Sequence, residues 1–240
     1  MAITTRCPPA PIHDPHADRV SRVLAAIDAA NSADPTLVQA EGRLVPAELL
    51  YGERMSAALA EFMPDASEAL TIAARGQHIE RWTSPRANYP AGRLGYLTWR
   101  RDLKNFHARR LADIMAAHGF DGRAIHRVGA LVRKERLKQD PEAQALEDVI
   151  CIVFLGYYAA AFALKHDDEK LSDILARTWR KMSPRGHKAV TGLELPPRVG
   201  ALLQAGLLKM EYSAKSPVAS RDNRDTDLPN RIKNGRRKPI

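Results

Sequence analysis

Four side chains in this sequence are of the types that hold a divalent metal or move a proton: His78, His107, Glu135 and Asp148. They lie far apart along the chain, so no local ligand motif joins them. They form one site only if their segments pack together as a bundle. Two imidazoles and two carboxylates make a nitrogen–oxygen donor set suited to Mn, Fe, Ni or Zn. In that arrangement His78, His107 and Asp148 hold the metal, and Glu135 is either a fourth ligand or the general base. Gln77 is expected to fix the His78 ring, because a ligating imidazole needs its second nitrogen held. Against this stands a plainer reading, in which His78 is a hydrogen-bonded core histidine and Glu135 pairs at the surface with Lys134 or Arg136.

Basic groups crowd the same segments: Arg75, Arg81, Arg86, Arg93, Arg100, Arg101, Lys104, Arg133, Lys134 and Arg136. The stretch "SPRANYPAGRLGYLTWR" interleaves arginines with Tyr89, Tyr96 and Trp99, and Trp82 lies just ahead of it. Guanidinium groups grip phosphate bidentately and aromatic faces stack on bases. Arg86 and Arg93, in a loop shaped by Pro and Gly, and Arg133 are therefore expected to neutralise a phosphorylated, nucleotide-like substrate. For any single arginine the competing reading is a solvated helix face.

The elements that must position these groups read as helix after helix. Val20, Val23, Leu24 and Ile27 recur at helical spacing within 16–32. Pro46 opens "PAELLYGERMSAALAEFM", Asp65 is expected to cap "ASEALTIAARGQHIERW", and "YLTWRRDLKNFHARRLADIMAAHG" runs to Gly119. Helices over 121–138, from Pro141 through the apolar run, over 167–182 and over 197–209 complete the set. No stretch alternates with period two, so the expected class is all-α, with one domain over 16–210 between a leader at 1–15 and a tail at 211–240.

The apolar run 149–164 ("VICIVFLGYYAAAFAL") has 16 residues, short of the roughly 20 needed to span a bilayer. It is expected to be a buried core helix in a cytoplasmic protein. Cys7 and Cys151 form no paired motif, which leaves out a disulfide scaffold. The net charge is +9, and the tail from Ser213 onward carries eight Lys/Arg against three Asp. That polar tail is expected to be disordered, with nucleic-acid contact through it as a further possibility. Neither a phosphate-binding glycine loop nor a G-x-S-x-G elbow occurs.

The order of elements resembles the HD-domain superfamily of metal-dependent phosphohydrolases over 48–155. "ALTIAARGQHIERW" is similar to that superfamily's helix ending in His-Asp, and Asp148 in "PEAQALEDVICIVFL" falls on its final aspartate. The match is imperfect: Gln77-His78 stands where His-Asp is expected, and Tyr51 where the first histidine is expected. "ELLYGERM", "AARGQHIERW", "GYLTWRRDLKNFHARR" and "DPEAQALEDV" more closely resemble the domain-of-unknown-function 4202 family. "QHIE" and "KMSPRG" echo the paired motifs of class I aminoacyl-tRNA synthetases, but nothing here builds the parallel sheet those motifs need. The resemblance to HD proteins implies a divergent metal-dependent phosphohydrolase acting on a small phosphorylated substrate. The alternative is a non-enzymatic helical module that binds an anionic ligand or RNA in a basic pocket. A third is an interaction protein whose apolar terminal helices pair two copies.

Overall fold

The computed structural model describes residues 15–215, with side chains from 18 to 210; the expected leader up to 14 and the expected tail from 216 lie outside the described residues, while Pro15 begins α1 and 211–215 continue α10. The fold is all-α, with ten α-helices among the described residues. They are α1 (Pro15–Asn31), α2 (Ala47–Phe62), α3 (Glu68–Arg75), α4 (Gly92–Ala117), α5 (Gly122–Arg133), α6 (Pro141–Val153), α7 (Ala159–Ala163), α8 (Asp168–Lys181), α9 (Pro184–Thr191) and α10 (Pro197–Lys215).

Caps set most of the starts. The Asp121, Asp140, Asp167 and Ser183 side chains each accept a backbone N–H from the second or third residue of their helices. Ser67, not Asp65, caps α3 by accepting from Leu70 N. That helix stops at Arg75, with Gly76 as its C-cap at φ −94 and ψ 8; Gly76 packs on Leu111, where a Cβ would lie 2.4 Å from the leucine. Gln77 and His78 therefore lie in a turn beyond the helix and not at its end. Likewise α5 ends at Arg133, and Lys134 adopts φ +60 as its cap. The expected helix through Lys138 is replaced by a turn that holds Glu135.

Two features were not expected. A short antiparallel hairpin, β1 (Leu37–Ala40) and β2 (Arg43–Pro46), pairs Val38 with Val45 and turns at Glu41-Gly42, both at positive φ. Four-residue strands are too short for alternation to stand out from the sequence. The long apolar helix is also interrupted by a π-helical turn at Phe154–Tyr158.

Ile27, Met55, Leu70, Ile72, Leu111, Leu131 and Leu146 form one core among α1–α6. Leu155, Leu171, Leu175, Val199 and Leu203 form a second among the π turn, α8 and α10. Each fully buried leucine or isoleucine contributes about 1.5–3 kcal/mol. Pro141–Ala163 is long and apolar enough to cross a bilayer, but half of its apolar window is packed inside the fold. It also carries Glu147 and Asp148 into buried contacts, as the core helix of a folded domain does.

Candidate anion-binding site

The turn after α3 is pinned from three sides. Glu80 sits at φ +50, held by Arg110, whose guanidinium donates to both of its carboxylate oxygens at 2.5 and 3.0 Å. The Glu80 N–H donates to Asn31 Oδ1 at 3.0 Å, and Asn31 Nδ2 donates to Glu48 O at 3.4 Å. Asn31 thereby ties the end of α1 to the start of α2 and to this turn. The result places His78 and Arg81 against α4.

His78 stacks on Tyr51, with ring centroids 4.0 Å apart and planes at 15°. Tyr51 is fixed in turn by donating its hydroxyl to Gln77 Oε1 at 2.8 Å. Gln77 thus orients the histidine through Tyr51 and not by holding a ring nitrogen, a correction to the sequence expectation. The Nδ1 edge of His78 lies 3.3 Å from Glu48 Oε2. His107, buried on α4, has its Nδ1 2.8 Å from Ile79 O. A carbonyl only accepts, so this nitrogen carries the proton and Nε2 is left as a lone pair.

The two imidazole rings are 6.1 Å apart and line one pocket with Gln77, Arg81, Arg100, Leu103, Lys104, Val132 and Lys134. The pocket is about 20 Å³, room for one water-sized group. None of its nine lining residues is a carboxylate. Burial, then the charges of Arg81, Arg100 and Lys134, hold His78 well below its ordinary pKa. Burial and the neighbouring His78 push His107 down to about 3. Both rings are therefore neutral at physiological pH. Glu48 is pushed up to about 7, mainly by burial, and Arg81 partly offsets the rise. Lys134 is depressed by burial and pairs with the buried Glu147. Lys104 donates to Arg133 O at 3.2 Å, and Arg100 has no ion-pair or hydrogen-bond partner among the described residues.

The four expected metal ligands do not meet. His78 and His107 converge, but Glu135 is exposed on the turn after α5 and accepts from Arg133 Nε at 2.6 Å. It therefore faces no reacting group as a general base. Asp148 is buried, and its oxygens accept from Ser183 N at 2.8 Å, Ser183 Oγ at 2.6 Å and Gln144 Nε2 at 3.2 Å. It anchors the start of α9, packed so closely on Gly186 that a Cβ there would lie 2.6 Å from Asp148 Oδ1. Among the described residues no group of three or more His, Cys, Asp or Glu side chains is gathered for a metal ion. The nearby carboxylates Glu48 and Glu147 are engaged by Arg81 and Lys134, and Arg100 and Lys104 add positive charge, so the donor groups present do not fit a divalent metal.

The three arginines singled out from the sequence also serve elsewhere. Arg86 donates to Tyr89 O and Pro90 O, both at 2.8 Å, and so shapes its own loop. Arg93 is exposed at the start of α4 and lines neither this pocket nor the cavity beside it. Arg133 is bound to Glu135. The cations that do line the pocket had a legible signal. Arg100, Leu103, Lys104 and His107 fall at i, i+3, i+4 and i+7, one face of α4. Glu48, in the first turn of the helix opened by Pro46, was missed. A larger cavity of about 400 Å³ lies between α3 and α5, but its Arg127 is already bound to Asp140 and Glu142.

Fold and site together define an all-α protein with a small, cationic, histidine-floored pocket. The chain matches the family model described as domain of unknown function (DUF4202) over residues 21–203 and belongs to that family. No curated protein and no solved structure matches it.

Proposed function

We propose that this protein binds a small phosphorylated ligand, with an oxyanion oxygen seated in the pocket between His78, His107 and the α4 cations. One observation carries the reading: Arg81, Arg100, Lys104 and Lys134 line one pocket together with two neutral histidines and no carboxylate. Of these cations Arg81 lies 3.8 Å from Glu48 and Lys134 pairs with Glu147, while Arg100 and Lys104 have no carboxylate partner among the described residues. An anion gives those two the partner they lack. The pocket's size favours a single oxyanion over the long track that a nucleic-acid backbone needs. Among the described residues no donor set is gathered for the metal that the HD-like order of elements implies, so the anion contact is read as metal-free.

Equilibrium dialysis with labelled orthophosphate tests this reading. Saturable binding is expected that survives a chelator and weakens roughly tenfold from low to high salt. Binding abolished by the chelator would return the site to metal chemistry.

A further inference from the structure

Beside the basic pocket lies a second cavity of about 320 Å³, within the size range of small-molecule sites. Thr36, Ala47 and Glu48 form one wall, and Arg81, Trp82, Ser84 and Trp99 are set across from it. The two spaces adjoin. Arg81 lines both, and Glu48 of the cavity reaches to 3.3 Å from His78 of the pocket.

Its two tryptophans are in different states. Trp99 is buried and committed: its indole N–H donates to Ser84 O at 2.9 Å, Arg81 sits over its ring at 5.4 Å, and Tyr96 packs at 5.9 Å. Trp82 is half-buried and has no hydrogen bond, ring contact or cation contact among the described residues. An uncommitted indole face and N–H inside a cavity form a platform for another flat ring. The Thr36 and Ser84 hydroxyls, which donate no hydrogen bond among the described residues, supply polar groups for that ring's edge.

We propose that this cavity holds a planar aromatic ring tethered to the phosphate in the basic pocket, with Trp82 as the stacking surface. The ligand class is then an aromatic phosphate ester of the nucleoside monophosphate type. Arg81 lines both spaces, so a ligand that reaches from one to the other runs along its side chain. The proposal rests on the reading of the basic pocket given above.

The test is calorimetric titration of the full chain with orthophosphate, ribose 5-phosphate and the four ribonucleoside 5′-monophosphates. At least one monophosphate is expected to bind about tenfold or more tighter than ribose 5-phosphate. Trp82→Ala is expected to erase that advantage and leave orthophosphate affinity unchanged, while Trp82→Phe keeps most of it. Monophosphates that bind no tighter than ribose 5-phosphate overturn the proposal, as does an advantage that survives Trp82→Ala. In both cases orthophosphate binding leaves the basic pocket standing. If orthophosphate and every monophosphate fail to bind, the reading of the basic pocket falls, and this proposal with it.

Discussion

His78 and Glu48 face each other across 3.3 Å and are pushed in opposite directions by the same burial. The imidazole is held neutral and the carboxyl is held protonated up to about 7. The two histidines, depressed below 6.5, contribute stability that is present above 6.5 and lost as pH falls. Glu48, raised from 4.5, contributes stability that is full below 4.5 and lost as pH rises through about 7. Arg81, Asp34 and the two histidines surround it and modulate the size of that loss. Between 4.5 and 6.5 two histidines work against one glutamate, so the melting temperature is expected to rise. Above about 7 these groups leave no difference in bound protons between the folded and unfolded chain, and the curve is expected to level off. In Glu48→Gln the rise between 4.5 and 6.5 should steepen, because the opposing loss is gone; an unchanged slope would remove Glu48 from the account. Asp148 tests the other half of the site assignment. With its oxygens committed to Ser183 and Gln144, Asp148→Asn is expected to cost about 1–3 kcal/mol in urea unfolding and to leave phosphate affinity unchanged.

Among the elements, α4 and the turns at its two neighbours decide the geometry. Lys134 caps α5 at φ +60, a conformation that costs a residue with a Cβ roughly 1–2 kcal/mol. Its pairing with Glu147 and its place in the pocket wall hold it there. Lys134→Gly is therefore expected to be about 1 kcal/mol more stable than Lys134→Ala, yet equally weak for phosphate. Equal stability of the two would mean that the left-handed backbone carries no strain. At the start of α4, Gly95 lies under Pro90, where a Cβ would come within 1.9 Å of the carbonyl oxygen. Gly95→Ala must move the loop that carries Arg86 and the cavity wall. What could be read from the sequence at this scale was the helical class and most starts, because apolar spacing and the Asp and Pro signals are local. The stops are less legible: α3 ends at Gly76, inside a stretch that reads as helix, and at the end of α5 a lysine fills a position that normally signals itself with glycine.

For the whole molecule, His78 and His107, both legible in the sequence as candidate site residues, line one pocket. Glu135 and Asp148 cannot be placed from sequence, because α5 ends before Glu135 and leaves it on an exposed turn, while the packing of α9 decides what Asp148 meets. Charge was legible only in sum: +9 overall gives no address, whereas the i, i+3, i+4, i+7 face of α4 does. A ligand that binds only the folded chain stabilises it by about 2.7 kcal/mol at a hundredfold excess over Kd. Phosphate is therefore expected to raise the melting temperature at low salt and to lose most of that effect at high salt. The most direct check of the anion pocket is a calorimetric titration of orthophosphate, with chelator present, into the wild type and Arg100→Gln. The wild type is expected to bind and Arg100→Gln to bind about tenfold more weakly. Equal affinity in the two proteins, or no binding by either, would contradict the account.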